Sequence, residues 1–219
     1  MMRANSKSGF FISLEGMDGT GKTTQATYLY DRLTALGFGC LLTHEPGDTV
    51  IGERIREVLL HTDHKEMAFM TELLLYNAAR AQLIDQKIRP ALTSGMVVIT
   101  DRFSDSTVAY QGYGRGIDLE IIANLDLIST KGTKPDLTLL FHLDIETGLR
   151  RNRTINKVDR LELEDIEFHK RVRHGFFEIA GKEPERVKLV DASLPLSKVQ
   201  DVAWEIVSEM MKKRGFLQC

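Results

Sequence analysis

Short apolar runs alternate along the chain with longer stretches in which apolar residues return every three or four positions. Five runs read as buried strands: Phe10–Glu15, Gly39–His44, Met96–Thr100, Leu137–Leu143 and Val187–Val190. Between them the helical period predicts Thr24–Leu36, ended by Gly37, then Ile51–Leu60, and a long stretch Glu66–Leu92 broken or kinked by Pro90. Asp118 caps a helix to about Thr130, and Glu146–Arg153 follows the fourth strand. His169 and His174 fall in a further helical stretch, and Leu196–Lys212 is amphipathic. Residues 101–116, rich in Gly, Ser and Tyr, read as a loop of functional character. This β-α alternation predicts an α/β fold, a five-stranded parallel sheet with helices on both faces. The expected organisation is a disordered tail at 1–8, one domain over 9–213, and a C-terminal tail at 214–219. A charge-dense segment at about 150–165 is a candidate lid, although a solvated helix face has the same composition.

Composition narrows the function. The 219 residues are 42% hydrophobic and 27% charged, as in ordinary globular proteins. A chain of this length buries about 70% of its surface on folding and needs no disulfide or metal staple. The 29 Lys and Arg against 31 Asp and Glu leave a formal charge of −2, which argues against a nucleic-acid coat protein. Two cysteines, Cys40 and Cys219, are expected to stay reduced in a cytosol, Cys40 as a small buried hydrophobe. No apolar stretch is long enough for a membrane span, and the run after Arg3 and Lys7 is too short for a signal peptide. The expected location is cytoplasmic.

The strongest chemical signal is Gly16-Met17-Asp18-Gly19-Thr20-Gly21-Lys22-Thr23, which fills every fixed position of G-x-x-x-x-G-K-S/T. At average residue frequencies a chain this long matches by chance about 1% of the time. A strand runs in and a helix runs out, as this P-loop requires. Its glycines let successive N–H groups turn inward on an anion, and the helix N-terminus adds positive charge. Lys22 then reaches the β- and γ-phosphates, and Thr23 ligates Mg²⁺. Asn156-Lys157-Val158-Asp159 spells the guanine-reading N-K-x-D of GTP switches. It lies after a helix rather than a strand, and the only D-x-x-G, Asp18 to Gly21, is inside the P-loop itself.

A kinase whose acceptor is itself phosphorylated needs a second anion site, and arginines suit it because their planar forks bind phosphate and stay charged. Candidates sit where the strands end, the ligand side of an open parallel sheet. Asp101-Arg102-Phe103 follows the third strand. Glu45-Pro46-Gly47 follows the second, with Arg54 and Arg56 in the next helix. Tyr76 and Arg80 share a helix face at i and i+4. Glu45 also stands where a nucleoside kinase has its general base.

Together, Glu15-Gly16-Met17-Asp18-Gly19-Thr20-Gly21-Lys22-Thr23-Thr24, His44-Glu45-Pro46-Gly47, and Asp101-Arg102-Phe103 with Ser106-Thr107-Val108-Ala109-Tyr110-Gln111-Gly112 resemble the thymidylate kinase family from about residue 9 to 210. The resemblance implies a P-loop fold with a short lid, transfer of the γ-phosphoryl of ATP to dTMP with Mg²⁺, and a cytosolic homodimer. It implies ATP binding by Gly16 through Thr24, with Arg151, Asp191 and Ala192 beside them. Thr23, and Asp101 through water, would serve the metal. On the dTMP side it implies Glu45 and Pro46, Asp18 on the sugar hydroxyl, Arg56 on the acceptor phosphate, and Arg80 on the base. Ser106, Thr107, Tyr110 and Gln111 would line the base and sugar pocket. Tyr76 stands where the family usually has a stacking Phe and keeps the π-face. Lys22, Arg102, Asp18 and Arg153 would carry catalysis. The P-loop holds no arginine, so the lid must supply one. Ile155 occupies a usual lid-arginine position, which leaves Arg153, Lys157 or Arg160 to replace it. Two other readings are a deoxynucleoside or different nucleoside monophosphate kinase, and a non-catalytic NTP-binding switch.

The remaining candidates read as structure. His61 and His64 fit a polar loop, Glu162 to Glu167 a solvated face with Glu162 on metal-bound water as the alternative, and Trp204 a packing residue. Leu73-Leu74-Leu75 with Met67 and Met70 look like core or dimer interface.

Overall fold

Every residue of the first strand, Phe10–Glu15 (β1), is buried, which only a central strand covered on both faces achieves. The computed structural model describes residues 9–155 and 159–217. The expectations at 1–8, Asn156, Lys157, Val158 and Cys219, and those resting on the Arg153 and Ile155 side chains, lie outside what it describes. In the described chain β1 sits at the middle of a parallel sheet of order β2-β3-β1-β4-β5, with β2 Cys40–His44, β3 Val97–Asp101, β4 Leu137–His142 and β5 Val187–Asp191. The two edge strands are the less buried ones.

The pleat splits β1 between two cores. Phe10, Ile12 and Leu14 pack under α1 (Lys22–Ala35) and α9 (Leu196–Lys213), against Leu29, Leu33, Val199, Ala203 and Val207. Phe11 points the other way, against Leu83, Ile88 and Phe103. By the same alternation Ser13 and Glu15 face this second side, so two polar groups are buried at the top of the central strand. The first helix after β2 is α2, Val50–Leu60, capped by the Thr49 hydroxyl, which accepts from the Gly52 N–H at 2.9 Å.

The long stretch ending near Leu92 divides elsewhere than expected. Helix α3 (Phe69–Leu83) passes into a π-helical turn at Ile84–Ile88 and then α4 (Arg89–Thr93), with Pro90 at the start of α4. A proline ring clashes with the carbonyl four residues before it, here Gln86. The widened turn upstream absorbs that clash, so the helix shifts register instead of breaking.

Residues 101–116 are not a loop. They form α5 (Ser104–Thr107) and a π-helical segment, Val108–Gly114. Its glycines serve close packing: a Cβ on Gly114 would lie 2.7 Å from the Phe168 ring, and one on Gly112 2.6 Å from Leu119. This segment packs on α8 (Ile166–Lys182), which comes after α6 (Leu119–Thr130) and α7 (Ile145–Ile155) in the chain.

Two further expectations change. Cys40 is only half-buried, its Sγ 3.5 Å from the Phe38 carbonyl. Glu162 is buried rather than part of a solvated face. Of the residues read as core or dimer interface, Leu73 is core, while Leu74 and Met70 on the same helix are exposed. Past α9, Phe216 folds back and its ring meets that of Phe10 at 5.4 Å. Trp204 packs at the edge of the α1–α9 core with the Arg32 guanidinium over its ring at 4.2 Å. Because Leu29 is fully buried between α1 and the sheet, Leu29→Ala should cost about 2–5 kcal/mol; urea unfolding measures it, and an unchanged midpoint would contradict this packing.

Candidate functional site

The turn from β1 into α1 is built by backbone. Gly16, Gly19 and Gly21 take φ of 134°, 75° and 85°, conformations that a Cβ would strain. Space excludes a side chain as well: a Cβ on Gly16 would sit 2.2 Å from the Phe141 carbonyl oxygen, and one on Gly19 2.0 Å from that of Gly148 at the start of α7. Helix α1 begins with Gly21 and no side-chain cap, so its first N–H groups stay open to an anion. The Met17 carbonyl accepts from both the Thr20 hydroxyl and the Lys22 ammonium at 2.8 Å, which folds the loop around the lysine.

A cavity of about 1390 Å³ opens from this turn. Asp18, Gly19, Gly21, Lys22, Thr23 and Thr24 line one end. Pro46, Glu45, Arg56, Tyr76, Arg80, Ser106, Thr107, Tyr110 and Gln111 line the other, with Asp101, Arg102 and Arg151 on its wall. Most of the residues singled out from the sequence therefore meet in one space. Gly16, Met17, Thr20, Asp191 and Ala192 do not form the wall; Gly16 and Met17 contribute carbonyl acceptors instead. The Ala192 carbonyl accepts from Arg151 Nη1 at 3.1 Å, joining the end of β5 to α7. Arg54 turns outward and pairs with Glu57.

Arg102 sits where the two ends meet. Its φ is 73°, a left-handed conformation that costs a residue with a Cβ on the order of 1 kcal/mol or more. The backbone around it is pinned: its N–H donates to Leu14 O at 2.9 Å, and its carbonyl accepts from the Thr100 hydroxyl at 2.8 Å. The guanidinium pairs with Asp18 and donates to Gly16 O at 3.0 Å and Ser106 Oγ at 3.1 Å. Tyr110 lies under it, ring centroid at 5.2 Å, and its hydroxyl donates to Asp18 at 3.3 Å. Asp18, expected on a sugar hydroxyl, is thus also the counter-ion of Arg102. Burial raises its pKa, but the charges of Arg102 and Lys22 prevail and bring it to about 2. Burial and Arg102 lower Lys22 to about 8 against the pull of Asp18, Asp101 and Glu15.

Arg80 is almost fully buried. Its Nε donates to Glu45 at 2.8 Å, its Nη2 lies 2.7 Å from the same carboxylate and donates to Thr107 at 2.9 Å, and Asp126 is 3.5 Å from Nη1. Glu45 is thus the partner of a buried cation, and burial raises its pKa. Arg56 donates to Pro46 O at 2.8 Å, at the rim.

Several wall residues were not expected there: Asn152 and Leu161 carried no signal, while Asp159, Glu162 and His61 read first as a switch-like motif, a solvated face and a polar loop. Burial and the charges of Asp159 and Asp18 raise Glu162 to about 7. What fastens that segment is Glu72, fully buried on α3 one turn before Tyr76. It accepts from Gln111 at 2.8 Å and Arg115 at 3.1 Å, and Arg160 lies 2.5 Å away. Arg160 also donates to Leu59 O at 3.1 Å. A Glu four residues before a pocket tyrosine was the available hint. Arg160 is therefore an anchor of the segment and not part of the cavity wall.

Thr23 Oγ1 donates to Asp101 Oδ2 at 2.5 Å inside the cavity. A hydroxyl and a carboxylate at the phosphate end are hard oxygen donors and fit Mg²⁺, which draws its other ligands from phosphate and water. Among the described residues no cluster of three or more His, Cys, Asp or Glu forms a metal cage, His61 and His64 included.

Known proteins resemble this chain along most of its length. The protein-family model for thymidylate kinase matches residues 14–203. The curated thymidylate kinase of Syntrophotalea carbinolica is 44% identical over 212 residues, 94% of this chain and 98% of that protein. The crystal structure of thymidylate kinase from Ehrlichia chaffeensis superposes with a TM-score of 0.74 at 32% identity, covering 92% of this chain and 99% of that one. With a family model that matches most of its length and a relative 44% identical over 94% of it, the chain belongs to the thymidylate kinase family.

Proposed function

We propose that the cavity holds ATP at its Lys22 end and dTMP at its Tyr76 end, and that this chain transfers the γ-phosphoryl of ATP to dTMP to give dTDP. The observation that carries the reading is the position of Arg102, whose guanidinium touches Gly16 and Asp18 of the P-loop and Ser106 and Tyr110 of the acceptor end at once. A cation there neutralises both the acceptor phosphate and the equatorial oxygens of the group in flight. The acceptor oxygen is already anionic, so it attacks the γ-phosphorus as the bond to the β–γ bridging oxygen breaks and ADP leaves. No general base is required. That suits a site in which Glu45, the base candidate of a nucleoside kinase, is committed to Arg80. Catalysis is then positioning and charge compensation.

Lys22 and the loop N–H groups hold the β- and γ-phosphates. Thr23 and Asp101 would hold Mg²⁺, which supplies further neutralisation of phosphate charge. Tyr76 stacks on the base, and Arg80, Thr107 and Gln111 bound its edge; Arg56 meets the acceptor phosphate. Arg151 and Arg153 serve the ATP side, with Arg153 as the lid cation in transfer, while Arg160 is engaged with Glu72. Lid closure excludes water and suppresses hydrolysis. No described helix is long and apolar enough to cross a membrane, and the proposed location is cytoplasmic. The exposed apolar residues Phe69, Met70 and Leu74 on α3 and Leu127 and Ile128 on α6 favour a homodimer built on these two helices.

ADP production from Mg·ATP should be fast with dTMP, weaker with dUMP and absent with thymidine; turnover with thymidine but not dTMP would overturn the reading. Discrimination against dUMP rests on one methyl group, worth about 1–3 kcal/mol. Sedimentation should give a dimer that Leu127→Glu dissociates, and a monomeric parent would refute the interface. Lys22 adds a pH signature. Its pKa is lowered to about 8 in the free protein, and bound triphosphate raises it. Between these values ATP binding takes up a proton, and affinity falls as pH rises above about 8. Calorimetry at about pH 9 in two buffers of different ionisation enthalpy should differ, and should agree near pH 7.

A further inference from the structure

Glu15 is the last residue of β1, fully buried, on the strand face opposite the Ile12 and Leu14 side chains. Nothing in the division of roles above uses it. Its carboxylate collects three donors. Oε1 accepts from the Ser13 hydroxyl at 2.9 Å and from the Phe103 backbone N–H at 2.7 Å, and Oε2 accepts from the Ser106 hydroxyl at 2.5 Å. Two of these belong to the turn that carries Arg102: Phe103 is the next residue, and Ser106 Oγ in turn accepts from Arg102 Nη1 at 3.1 Å.

We propose that Glu15 is a positioning residue for phosphoryl transfer, which locks the left-handed turn at Arg102 through Phe103 and orients its guanidinium through Ser106. The argument is one of geometry. A left-handed residue with a Cβ persists only where its surroundings over-determine it. Here β1 supplies that constraint twice, with Leu14 O on the Arg102 N–H and Glu15 on the N–H that follows. The Ser106 hydroxyl has one proton. Because it gives that proton to Glu15, its lone pairs face Arg102, so an acceptor beneath Ser106 fixes the polarity of the Arg102 contact. Glu15 is also the residue immediately before the phosphate-binding turn, so one carboxylate sets the distance between that turn and the bridging arginine.

Burial raises the Glu15 pKa to about 7 and the charge of Asp105 of α5 adds to the rise, against the Ser106 and Ser13 hydroxyls and Arg102, which favour the carboxylate. Lys22 of α1 and Arg80 of α3 face it as well. A neutral residue of the same shape preserves packing but changes the donor pattern. In Glu15→Gln the amide oxygen can still accept from Phe103, whereas the amide nitrogen confronts Ser106 with a donor and reverses the relay to Arg102.

The proposal rests on the dTMP kinase reading. The experiment compares the full-length protein with Glu15→Gln, Ser106→Ala and the double variant, measuring kcat and both KM values, together with a crystal structure of Glu15→Gln. Each single variant should lower kcat tenfold or more and leave the KM for ATP within about twofold. The double variant should lose no more than the worse single, because both cut one link. A wild-type kcat in Glu15→Gln, or losses that multiply in the double variant, would overturn the proposal. Should Glu15→Gln fail to fold, Ser106→Ala decides alone: a fallen kcat at unchanged ATP KM supports it, an unchanged kcat refutes it. Should the parent show no dTMP turnover, the kinase reading fails separately. The crystal structure then decides the positioning role: an Arg102 that leaves its left-handed turn or its Asp18 contact supports it, and an unmoved Arg102 refutes it.

Discussion

The pairing of Arg102 with Asp18 is the contact on which the site depends. It joins a residue of the phosphate-binding turn to one that follows the neighbouring strand, and so it closes the seam between the nucleotide and acceptor ends of one cavity. Both side chains are largely withdrawn from water, and leaving either charge unpaired there is unfavourable. Each therefore keeps the other folded into place. The same pairing holds Asp18 ionised and, by adding a cation beside Lys22, makes that lysine easier to deprotonate until phosphate arrives.

Similar logic recurs around the cavity. Arg80 is matched by Glu45 and Asp126, Arg115 and Arg160 by Glu72, and Arg186 by Asp105 and Glu183. The near-neutral total charge of the chain hides this arrangement, in which cations and carboxylates are buried together in small groups. A site for two nucleotides needs cations at fixed positions before the substrates bind. Glu45 and Asp126 hold Arg80 at the wall in this way, while the pairs of Arg115, Arg160 and Arg186 fasten the elements around it. Glu72 extends the arrangement to the charged segment after α7, which is why residues that resemble a solvated helix face are instead folded against the pocket.

The strands and most helices were legible because their signals are local. Continuous apolar runs marked strands covered on both faces, and Asp118 marked a helix start. The segment 101–116 misled because Gly, Ser and Tyr are turn residues in isolation; here the glycines admit Phe168, Val172 and Leu119, contacts that exist only once α8 and α6 are in place. Pro90 misled for a related reason, since the cost of its ring was met by a widened turn upstream rather than a break. Arg160 read as a lid cation because charge is visible in a sequence and its partner is not.

The phosphate cradle was determined by the sequence alone, because glycine identity and spacing set backbone conformation directly and a lysine one residue into the helix has few places to reach. The same local encoding fixed the order of strands and helices along the chain, from which a parallel sheet follows. Tertiary structure decided which charges face each other. Glu15 meets Ser106 across 91 residues, and Glu45 meets Arg80 across 35. Buried ion pairs are chosen by proximity and desolvation in the assembled core, and neither quantity is written in the spacing of residues along a chain.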